Sequence, residues 1–64
     1  MSWEKTIDYV NETRNANKLS YSDLTKKTGV KESNLSAFFN KKKRPRLDLF
    51  LNIAIACGVE SIEI

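Results

Sequence analysis

The sequence contains no histidine and a single cysteine, Cys57. Neither a disulfide framework nor a Cys/His zinc site can be assembled within one chain from that inventory. An isolated thiol in an apolar segment points to a reducing compartment, so the expectation is a cytoplasmic protein. Proline occurs once and glycine twice, too few for a disordered chain. Long apolar runs are missing as well. The longest is Ile53 to Cys57, and the amino end, Met1-Ser2-Trp3-Glu4-Lys5, has no basic start followed by an apolar stretch. Neither secretion nor membrane insertion is expected. Without histidine, a carboxylate pair or a Gly-rich phosphate loop, acid-base, nucleophilic and phosphoryl-transfer sites all lack parts. The chain therefore reads as no enzyme, with no cofactor, no metal and no small-molecule substrate.

What is present supports one small folded domain over residues 1–64. A chain of 64 residues with 41% hydrophobic and 30% charged residues builds one core and little else. Its net charge of +3 is modest, but the distribution is uneven. Residues 18–46 carry nine bases against two acids, Asp23 and Glu32, while both flanks are net acidic. A basic centre of this kind suits a one-sided polyanion-binding face, or equally a solvated surface that keeps the protein soluble. Charge alone does not choose between them.

Hydrophobic spacing predicts helices and no strands. From Ser2 to about Asn17, Trp3, Ile7 and Val10 recur at helical intervals, with Ser2 as N-cap, Glu4 in the first turn and Asn15-Ala16-Asn17 as a fraying end. Leu19-Ser20-Tyr21-Ser22-Asp23-Leu24 has the composition of a capping box with a hydrophobic staple. The helix it starts is short, because Gly29 stops it at little conformational cost. A third helix is expected from Glu32 to Phe39 or Asn40, poorly capped because Lys31 stands where Ser, Thr or Asp would serve. Pro45 closes the basic run Lys41-Lys42-Lys43-Arg44. Beyond it Leu47, Phe50, Leu51, Ala54 and Cys57 fall at helical intervals, and Gly58 precedes a final turn over 59–64 that would make a fifth helix.

Two short helices joined by a glycine turn over about 21–40 cross at a wide angle and expose the second. Here the chain resembles the phage Cro and cI-type repressors, the XRE-like helix-turn-helix domains. Leu24, Gly29, Val30, Leu35 and Phe38 fall where that family places its core and turn. Asn40 and Lys42-Lys43 occupy a loop written there as Asn-Gly-Lys-Arg, and Pro45, Leu47, Phe50, Leu51, Ala54, Gly58 and Val59 also match. The resemblance implies an all-α, compact four- to five-helix lambda-repressor-like domain. It implies a sequence-specific double-stranded DNA-binding transcriptional regulator, a repressor of phage or mobile-element type, associated with the nucleoid of a bacterial or phage-infected cell. A protein-interaction module on the same fold, an antirepressor or antitoxin, is the alternative. Three departures stand out: Tyr21 where a phosphate-contacting Gln is frequent, Thr25 where a small Ala lets two helices approach, and Lys41 in place of a loop Gly.

A helix in the major groove reads base edges with side chains of its first turns. Lys31, Glu32, Ser33, Asn34, Ser36 and Ala37 are the base-contacting candidates: Asn34 suits adenine, Lys31 guanine, Ala37 a thymine methyl. Glu32 either accepts from cytosine N4 or stabilises the helix dipole, and the second role needs no partner. Phosphate contacts fall to Tyr21, Asn40, Lys41, Lys42, Lys43, Arg44 and Arg46. Phe39 and Trp3 read as core edge, with base stacking by Phe39 as the competing role. Leu49, Ile55, Val59, Ile62 and Ile64 exceed what a small core absorbs. A homodimer on DNA is expected through Ile55, Val59, Ile62 and Ile64.

Overall fold

The computed structural model describes residues 2–59. Four helices occupy them: α1 (Trp3–Ala16), α2 (Tyr21–Thr28), α3 (Glu32–Phe39) and α4 (Leu47–Cys57). No strand occurs among the described residues, and no helix of theirs is long and apolar enough to cross a membrane. The final turn expected over 59–64 lies, beyond Val59, outside the described residues.

Local chemistry accounts for the starts of α1 and α2 and for all four ends. Ser2 Oγ accepts from the Glu4 amide at 3.2 Å, and Ser20 and Asp23 form the reciprocal capping box at 3.0 and 3.1 Å, each satisfying amides a helix start leaves orphaned. Gly29 ends α2 in the left-handed region at φ 78° and donates to the Thr25 carbonyl at 2.8 Å. The other three helices close differently. After α1, Lys18 and Leu19 donate back to the carbonyls of Asn15 and Arg14; after α3, Lys41 and Lys42 donate to Phe38 and Ala37; after α4, Gly58 and Val59 donate to Ile55 and Ala54. Each is the paired back-bonding of a Schellman motif, which needs one left-handed residue. Gly58 supplies it at no cost, whereas Lys18 and Lys41 adopt φ 56° and 57° despite their side chains.

The helices pack as α2 against α3 and α4, and α1 against α3 and α4. Ile7, Val10, Leu24, Leu35, Ile53, Ala54 and Cys57 are fully buried, joined by Phe38, Phe39, Phe50 and Val59. Phe38 meets Phe39 edge-on at 4.9 Å and Phe50 at 6.0 Å, so consecutive aromatics on α3 both enter the core. Phe39 is thus core and not a free stacking platform; Trp3 packs at the core edge.

Three expectations are corrected by the structure. Leu47, expected on the inward face of α4, is 59% exposed, because the buried face runs through Phe50, Ile53, Ala54 and Cys57. Val59, expected on a dimer face, is only 6% exposed and packs into the core of its own chain. Asn17 is no fraying end either: its Nδ2 donates to the Cys57 carbonyl at 2.8 Å, tying the end of α1 to the end of α4. That closeness needs Gly58, since a Cβ there would stand 2.5 Å from Asn17 Nδ2.

Candidate nucleic-acid interface

The core decides which side of α3 remains outside. With Leu35, Phe38 and Phe39 turned inward, Lys31, Glu32, Ser33, Asn34 and Ala37 are left exposed and Ser36 half-buried. The N-terminal turn of α3 has no side-chain cap, Lys31 making no capping bond. Ser36 is also engaged. Its hydroxyl oxygen accepts from Asn40 Nδ2 at 3.1 Å, which joins a base-contacting candidate to a phosphate-contacting one.

Cations rim this surface unequally. Lys42, Lys43, Arg44 and Arg46 are exposed; the first three are held in the loop that begins with the left-handed turn at Lys41 and ends at Pro45, and Arg46 follows as the N-cap of α4. Lys41 itself is diverted. Its Nζ lies 2.7 Å from Asp8 Oδ1 of α1, so in the free protein its charge is already matched. A groove of about 510 Å³ separates α3 from this loop; Val30, Phe38, Pro45 and Leu49 supply its apolar walls, while Lys31, Asn34, Ala37 and Lys43 stand along it.

On the opposite flank of α3, Tyr21 opens α2 and its ring stacks on Phe39, centroids 5.6 Å apart and planes within 6°. Arg14 lies over both rings. Sequence reasoning missed Arg14 and Asp8, because a contact across several helical turns leaves no local spacing signal. The capping box, by contrast, was signalled by residue type. The Ser20 amide, with its hydroxyl behind it, holds the Asp23 carboxyl below the usual aspartate range. A hydrogen bond from the Ser2 hydroxyl does the same for Glu4. Burial pushes the Cys57 thiol up, against the opposing pull of Arg14. That is the opposite of what a reactive thiolate needs.

The arrangement is one exposed helix face of short polar side chains, a loop of free cations on one flank, and a tyrosine at a helix start on the other. Short side chains that reach into a groove, with cations and neutral donors set to either side, match the division between base reading and backbone anchoring in duplex recognition. Ile55 is 69% exposed on α4. Ile62 and Ile64, the remaining residues expected at a dimer contact, lie outside the described residues. A family model described as helix-turn-helix matches residues 10–64. No curated protein and no solved structure matches the chain.

Proposed function

The chain belongs to the Cro/cI-type, XRE-like helix-turn-helix family of DNA-binding transcription regulators, and from that premise we propose that it is a sequence-specific repressor of phage or mobile-element type, acting in the cytoplasm. The carrying observation is the outer face of α3, where Lys31, Ser33, Asn34 and Ala37 stand exposed, with the basic loop to one side and Tyr21 to the other. Lys31, Asn34 and Ala37 read guanine, adenine and thymine edges, and Glu32 serves the helix dipole. Ser36 acts through its bond with Asn40.

Lys42, Lys43, Arg44 and Arg46 neutralise phosphates, with Tyr21 and Asn40 as neutral donors. Lys41 contributes less because Asp8 holds it. Repression follows from occupancy: a protein seated on a promoter excludes polymerase with no chemical step. Ile55 and Leu47, eight residues apart on α4 with half-buried Leu51 between them, form an apolar stripe. A two-fold dimer through Ile55 would set two α3 helices about 34 Å apart on one face of the duplex.

Salt dependence tests the assignment. Four neutralised phosphates per subunit give log affinity against log salt a slope of about −3.6. Replacing Lys42, Lys43 and Arg44 together by Ala lowers the magnitude by about 2.7 per subunit and weakens binding to duplexes of every sequence. Undiminished binding by that triple variant would remove the DNA reading of the loop.

A further inference from the structure

Arg14 carries no role in the contacts assigned above, yet it is held more tightly than a solvated arginine. Its guanidinium carbon lies 5.1 Å from the Tyr21 ring centroid and 5.4 Å from that of Phe39. Its Nη1 donates to the Leu19 carbonyl at 2.6 Å and its Nε to Asn11 Oδ1 at 3.0 Å. One side chain of α1 therefore touches the residue before the Ser20 cap, the first residue of α2 and the last residue of α3. These are the parts whose relation sets the phosphate-binding flank against the base-reading helix.

On the DNA-binding reading, we infer that Arg14 is a positioning residue for that flank: it holds the Tyr21 ring flat on Phe39, so the phenol is already oriented when it meets a phosphate. A side chain ordered before binding loses less freedom on binding. The role suits arginine specifically, since its planar cation stands within cation–π range of both stacked rings while serving two acceptors at once. Lysine keeps the charge and loses the plane. The competing role, a direct Arg14–phosphate contact, depends on charge and would survive that exchange better.

The test uses the full chain with a mixed-sequence duplex at low salt, each variant measured below its own unfolding transition by circular dichroism. Tyr21→Phe weakens binding about fivefold, the size of one hydrogen bond. Arg14→Lys weakens it by a similar factor with the salt slope unchanged, and the double variant loses no more than either single one. In the free protein, ring currents shift the Arg14 Hδ protons upfield. Wild-type affinity in Arg14→Lys or Tyr21→Phe, losses that multiply in the double variant, or unshifted Arg14 protons would each overturn the inference. A wild-type chain with no affinity for duplex would overturn it together with the DNA reading, and shifted Arg14 protons in that case mark the DNA reading as the part that failed.

Discussion

Lys18 and Lys41 hold left-handed backbone at φ 56° and 57°, a conformation that costs a non-glycine residue roughly 1–2 kcal/mol. The Schellman bonds that follow keep them there, because leaving would orphan two amides and two carbonyls at each helix end. Lys18 is exposed and pairs with no acid among the described residues, so Lys18→Gly is expected to raise stability by about 1 kcal/mol in urea unfolding. Lys41→Gly gains less, since it also loses the pair with Asp8, worth about 0–1 kcal/mol at a surface. Equal gains at both positions would mean that the Asp8 pair contributes nothing. Thr25 is the complementary case, an oxygen that the fold leaves unmet: its Oγ1 is buried without a hydrogen-bond partner. An unsatisfied buried hydroxyl costs about 1–3 kcal/mol, and Thr25→Val keeps the shape while removing the oxygen. Thermal unfolding should show a higher Tm for that variant. A lower one would mean that the hydroxyl meets water in solution.

Among the elements, α2 depends most visibly on its capping box. Asp23 has its folded-state pKa depressed by the Ser20 amide, so its contribution is full above the unfolded carboxyl value of about 3.9 and is lost as pH falls through the lower folded value. Wild type should therefore exceed Asp23→Ala in stability at pH 6 by more than it does near pH 2.5, as urea titrations at both would show. A pH-independent difference would contradict the assignment.

The starts of α1 and α2 were legible in the sequence because caps are a matter of residue type; those of α3 and α4, which Lys31 and Arg46 leave uncapped, were read from the breaks at Gly29 and Pro45, and Gly29 and Gly58 marked two of the stops. The inward face of α4 was not. Its sequence, LDLFLNIAIAC, is apolar on nearly every side, so the frames 47-50-51-54 and 50-53-54-57 carry helical spacing equally well. Only packing against α1 and α2 selects the second. The two left-handed lysines gave no signal, since lysine has no preference for that region. The outer face of α3 was readable for the opposite reason: Leu35 and Phe38 declare the buried side, leaving the short polar residues nowhere else to point.

At the scale of the whole molecule, charge and size complement each other. Four exposed cations, Lys42, Lys43, Arg44 and Arg46, follow α3 in one stretch, while α1 presents Glu4 and Glu12, so on the DNA-binding reading phosphate attraction orients the protein before any base is read. The described chain measures 29 × 22 × 18 Å. Its longest extent falls short of the roughly 34 Å between successive major-groove faces on one side of a duplex. On the proposed reading one chain covers one half-site, and a second copy, paired through the exposed stripe along α4, would read the other. The most direct measurement of the central claim, that the outer face of α3 reads bases in duplex DNA, is selection of bound duplexes from a random pool with wild type and Asn34→Ala side by side. The account predicts an enriched palindromic motif with half-sites about one turn apart for wild type, and for Asn34→Ala a relaxed preference at one position in each half. A pool that emerges without enrichment would contradict it, as would an identical motif from both proteins.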